Sequence, residues 1–125
     1  MTPELLRKFA RIQKAIEKEK GPLVLFALVR RQDSGLWDVV LSASWFDKSE
    51  IKTLRYIVKT IKARLTRAEN LQISHVDLLA PEEPFVKAVN GAFTMRDSLA
   101  HLDNCILSGV PIEHAYILAS SRAAA

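Results

Sequence analysis

Apolar positions along this chain change their period several times, and each change marks an element. Leu5, Phe9, Ile12 and Ile16 recur at three- and four-residue steps, the stripe of a helix that buries one side. Thr2, Pro3 and Glu4 supply its start: a capping oxygen, a residue whose missing N–H costs nothing in the first turn, and an acid at the positive end. Gly21-Pro22 stops it near residue 20. Leu23 to Arg30 is then apolar on both faces, which predicts a strand buried on both sides. After a turn at Gln32-Asp33-Ser34-Gly35, Trp37, Val39, Leu41, Ala43 and Trp45 alternate with Asp38, Ser42 and Ser44. That period of two predicts a strand with one core face and one polar face. If helices cover the Trp face, the polar face is open or pairs with a second copy of the chain.

Asp47-Lys48-Ser49-Glu50 resembles a capping box and opens a second helix that runs to about residues 68–70. Ile73 to Leu79 is a third strand, parallel to the second because a long helix connects them. Pro81-Glu82-Glu83-Pro84 begins a third helix, expected over 82–90, carrying Phe85, Val86 and Val89 and closed by Asn90-Gly91. Leu99–Leu107 and Ile112–Ala119 flank Ser108-Gly109, a hairpin signal. The pattern predicts an α+β domain with a five-stranded mixed sheet and three helices in the order α-β-β-α-β-α-β-β. It occupies residues 1–119, with 120–125 as a frayed tail.

The chain has 125 residues, enough for one domain with a sizeable core. A single cysteine, Cys105, excludes an internal disulfide framework and fits a reducing compartment. The first residues lack a basic stretch followed by an apolar block, and the longest apolar run, Pro22 to Val29, is too short to span a bilayer. A cytoplasmic protein without a membrane partner is expected. Four scattered glycines make no phosphate loop or nucleophile elbow. Glu82 and Glu83 are explained by the helix dipole. No cofactor is expected.

Charge changes the picture in one place. Residues 48–67 hold Lys48, Lys52, Arg55, Lys59, Lys62, Arg64 and Arg67 against Glu50 alone, a net +6 in a chain of +4, so the remainder is −2. At 100° per residue Lys48, Lys52, Arg55, Lys59 and Lys62 line one side. Ile51, Leu54, Ile57, Val58, Ile61 and Leu65 line the other. The basic row is the candidate polyanion-binding surface, set against the simpler reading of a solvated helix face. Trp37 and Trp45 are expected as core or interface anchors, and only Tyr56 interleaves with the row, which disfavours single-strand stacking.

The terminal hairpin carries the other cluster. A two-residue loop at Ser108-Gly109 sets His101 opposite Tyr116, Asp103 opposite His114 and Cys105 opposite Ile112, with all the polar members on one face. His101, Asp103, Cys105 and His114 could then ligate a transition metal, or form an Asp–His pair for proton transfer. His75 and Asp77 would join them if the third strand were a neighbour. No short-spaced ligand motif fixes such a site locally. Three readings follow: a non-enzymatic module binding a protein partner or a second copy as a homodimer, a nucleic-acid or other polyanion binder, and a small metal-dependent or acid–base enzyme.

Overall fold

The computed structural model describes residues 1–31, 35–46, 50–94 and 99–121. Gln32, Asp33 and Ser34 of the expected turn, Asp47, Lys48 and Ser49 of the expected capping box, and residues 122–125 lie outside them. The elements are α1 (Pro3–Lys20), β1 (Leu25–Arg31), β2 (Trp37–Ser42), α2 (Glu50–Arg64), α3 (Arg67–Asn70), β3 (Ile73–Leu79), α4 (Pro84–Ala92), β4 (Ala100–Leu107) and β5 (Val110–Ser120). The five strands form one mixed sheet in the order β3-β2-β1-β5-β4, α+β in class as the sequence predicts. β2 and β3 run parallel, joined through α2, and the other neighbours are antiparallel. β1 is the middle strand, so its continuous apolar run is buried on both sides.

Helix ends follow local chemistry. Thr2 Oγ1 accepts from the Leu5 amide and caps α1. At its other end Gly21 has φ +123°, and a Cβ there would sit 3.2 Å from the Trp45 ring. The Trp45 indole N–H donates to the carbonyls of Gly21 and Pro22, tying the segment after β2 to the end of α1. The second helix is shorter than expected, because Thr66 and Glu69 form a capping box that starts the separate turn α3. The third expected helix begins later, with Pro84 in its first turn, and continues through Gly91 to Ala92.

Two cores lie on the two sides of the sheet. In the first, α1 and α2 place Leu5, Phe9, Ile12, Ile16, Ile57 and Ile61 against Phe26, Leu28, Trp37, Val39 and Leu41. In the second, Val86 and Val89 of α4 pack with Leu25, Ala27, Val29, Val40, Ala115 and Ile117. This second layer corrects the expectation of an open polar face on β2. Every residue of β2 is buried, Asp38 at 5% exposure and Ser42 at 0%. Short polar side chains are covered there by α4 and the terminal hairpin, so no free β2 face remains for a second copy. Ser120, expected in the tail, is also buried in β5, donating from its hydroxyl to Asn90 and to the Phe93 carbonyl.

One ion pair across the fold couples stability to pH. Lys8 Nζ lies 2.7 Å from Glu69 Oε1. That ammonium, and next the Thr66 backbone N–H, hold the Glu69 carboxyl below the ordinary glutamate range. A depressed folded value means the contribution is complete above the unfolded value and is lost as pH falls through the folded one. Wild-type urea midpoints should therefore drop from neutral pH into the acid range by more than those of Glu69→Gln; equal drops would refute the coupling.

Candidate functional site

The sides of α2 do not match the strict division drawn from its sequence. Ile57, Ile61 and Leu65 are buried, together with Thr53, but Leu54 and Val58 are only half-buried and Ile51 is 62% exposed. The apolar arc is wider than the sheet beneath it. α2 packs toward β3, and β3 ends the sheet, so the outer flank of the helix overhangs an edge with no further strand among the described residues.

Two grooves meet along this overhang. A shallow one is lined by Leu54, Arg55, Val58, Lys59, Lys62 and Ala63. A larger one, about 800 Å³, lies between α2 and β3, where Leu54, Val58, Ile61, Leu71, Ile73 and Val76 give the apolar lining and Lys62 and Arg67 the charge. Among the described residues, no acid lines either groove. Of the sequence-predicted cations, Arg55, Lys59 and Lys62 are thus brought together with an apolar shoulder, whereas exposed Lys52 lines neither groove and Lys48 lies outside the described residues. The aromatics are committed elsewhere. Trp37 is buried in the first core, and the Tyr56 hydroxyl donates to Glu19 on α1. Burial and then that carboxylate raise the Tyr56 pKa above its ordinary value.

The terminal hairpin is closed by Ser108 (φ +51°) and Gly109 (φ +78°), a two-residue turn of the type that favours left-handed residues. Its pairing sets His101 opposite Tyr116, Asp103 opposite His114 and Cys105 opposite Ile112. His101 Nε2 and His114 Nδ1 both point at Asp103 Oδ1, at 3.0 and 2.6 Å. The His101 ring stacks on Tyr116 with centroids 4.5 Å apart and lies 5.7 Å from His114, nearly parallel to both. Tyr116 in turn rests on Trp37.

Cys105 is not part of this group. Asn104 takes φ +44°, and beyond it Cys105, Leu107, Val110 and Ile112 pack on the second core, although two-residue periodicity puts Cys105 beside Asp103. A left-handed residue reorients the pleat, and asparagine tolerates that conformation better than most. The thiol is therefore directed into apolar packing.

His75 and Asp77 do not join the hairpin either, because β3 and β4 are opposite edges of the sheet. They meet a residue that the sequence did not single out as functional. His75 Nδ1 lies 3.3 Å from buried Asp38 and Nε2 3.1 Å from Asp77. Asp38 and Asp77 border a pocket of about 200 Å³ walled by Val29, Val40, Leu79, Phe85 and Val110. The signal for Asp38 was present as a carboxylate on the β2 face that α4 covers, but it requires the strand order to be recognised.

Comparison of the chain with protein-family models, curated proteins and solved structures finds no match. No helix among the described residues is long and apolar enough to cross a membrane.

Proposed function

We propose that this chain is a non-enzymatic binding module that docks an extended, acidic and apolar segment of a partner protein along β3, beneath α2. The observation that carries the reading is the surplus apolar flank of α2, with Ile51, Leu54 and Val58 left outside the core beside the edge of β3 that no other described strand pairs. An added strand would take main-chain hydrogen bonds from that edge. Its apolar side chains would fill the groove at Leu54, Val58, Ile73 and Val76, and its acids would face Lys62 and Arg67.

Charge complementarity selects the occupant. A second copy presenting the same face would set Arg55, Lys59, Lys62 and Arg67 against their own equivalents, and like charges in register repel. Nucleic acid would use the cations but leaves the apolar floor unexplained, and neither Trp nor Tyr56 is available to stack bases.

A fluorescent peptide of alternating leucine and glutamate tests the reading by polarisation. The wild type should bind it. Leu54→Asp, and separately the combined Arg55→Glu, Lys59→Glu and Lys62→Glu, should each weaken binding roughly tenfold or more, about 1.4 kcal/mol, with unchanged circular dichroism. Heparin retention that is lost on replacing Lys52, Arg55 and Lys59 with Glu but survives Leu54→Asp would overturn the reading in favour of a polyanion surface. A sedimenting dimer that Leu54→Asp dissociates would overturn it in favour of a second copy.

A further inference from the structure

The hairpin cluster sits at the opposite edge of the sheet from the α2–β3 groove and stands on its own observations. We propose that His101, Asp103 and His114 form a binding site for a divalent transition ion, zinc by the chemistry of the donors, with a fourth position left open.

Three features carry this assignment. First, the donor atoms converge. His101 Nε2 and His114 Nδ1 approach a single oxygen, Asp103 Oδ1, at 3.0 and 2.6 Å, and the three ligand atoms lie within 4.8 Å of one another. Bonds of about 2.0–2.1 Å place the ligands of tetrahedral zinc about 3.3 Å apart. The Asp103 carboxylate has to move back from each ring by less than about 1 Å to reach that separation, and its side chain, 55% exposed, has room to do so.

Second, the imidazoles are oriented before any ion arrives. His101 is stacked on Tyr116, which is anchored on Trp37, and the antiparallel pairing fixes Asp103 opposite His114. Third, a carboxylate stands within ion-pair range of the outer nitrogen of one ring, just beyond hydrogen-bond length. The far nitrogen of His114, Nε2, lies 3.6 Å from Glu113 Oε1, and Arg30 holds the same carboxylate oxygen at 3.5 Å. A carboxylate that closes to hydrogen-bond distance behind a ligating histidine sets its ring orientation and raises its basicity. Two neutral imidazoles and one carboxylate suit zinc, and the solvent side of the hairpin leaves room for water or for a donor atom of a bound molecule.

A second group among the described residues, Asp38, His75 and Asp77, also brings one ligand atom from each residue within 4.8 Å of the others, but it offers a single imidazole, and that ring turns opposite nitrogens to its two carboxylates. Only one ring nitrogen at a time can ligate, so this group holds one nitrogen donor where the hairpin holds two.

The chain has three histidines, which makes the test direct. Zinc alone, titrated into the full chain while the histidine ring signals are followed by NMR, should move or broaden His101 and His114 and leave His75 in place. Calorimetry should give one ion per chain. His101→Ala, His114→Ala and the shape-conserving Asp103→Asn should each weaken zinc binding roughly tenfold or more, since even outer-sphere partners are worth 10–100-fold. His75→Ala should bind as the wild type does. A response confined to His75, no response of any ring, or unchanged affinity in the folded Asp103→Asn protein would overturn the assignment.

Discussion

Replacing Phe26 with alanine should destabilise the domain by about 3–5 kcal/mol, the range for truncating a buried aromatic ring. Phe26 belongs to the central strand β1 and is fully buried, and its ring lies 6.4 Å from that of Phe9 on α1. Its neighbours in the first core, Phe9, Ile12, Ile16 and Leu28 among them, are also fully buried and come from both α1 and the sheet. Collapse of the vacated space would have to move two elements at once, which places the cost toward the upper end. Against a typical total of about 5–15 kcal/mol, that is a large share of the stability. Urea denaturation should show a strongly lowered midpoint with the slope preserved. A change below about 1 kcal/mol would mean that α1 is not seated on β1 through this pair.

The element order was legible in the sequence because it is set locally. Thr2, Gly21, Pro84 and Ser108-Gly109 act within a turn of where they stand, and the two-residue turn alone dictates which residues of β4 and β5 face one another. Properties that depend on strand order were not legible in the same way. The alternation of Asp38 and Ser42 with apolar residues reports their polarity, not that α4 lies over them. A helical projection of α2 gives the width of its apolar arc, but the fraction covered depends on β3 being an edge. That is why Leu54 and Ile51 fell outside the core in which the projection placed them. The separation of His75 from His101 and His114 is likewise a matter of which strands adjoin. Two misses were local. Thr66-Arg67-Ala68-Glu69 is a readable capping box inside what looked like one continuous helix. The reorientation at Asn104 has only the tolerance of asparagine for a left-handed backbone as its signal.

The same change at two isoleucines of α2 should give opposite results. Ile57→Asp should unfold the domain or leave it severely destabilised, and Ile51→Asp should leave it folded. The two residues are six positions apart on one helix, have the same side chain, and both belonged to the apolar face in the projection. Ile57 is fully buried among residues of the first core, with no described cation there to receive a carboxylate. An unpaired buried carboxylate costs several kcal/mol before the lost apolar burial is added, on the order of the whole stability of a domain this size. Ile51 is 62% exposed, so its replacement removes little burial, and an acid in the first turn of α2 is favoured by the helix dipole. Circular dichroism and urea denaturation would separate the two variants at once. The leucine–glutamate peptide then adds the functional half of the comparison. Folded Ile51→Asp should bind it less tightly than the wild type, because the change places a negative charge and removes an apolar contact at the margin of the α2 flank. Wild-type binding by this variant would confine the docking surface to Leu54, Val58 and the β3 edge, whereas unfolding by Ile51→Asp would show that the flank belongs to the core and is not a surplus at all.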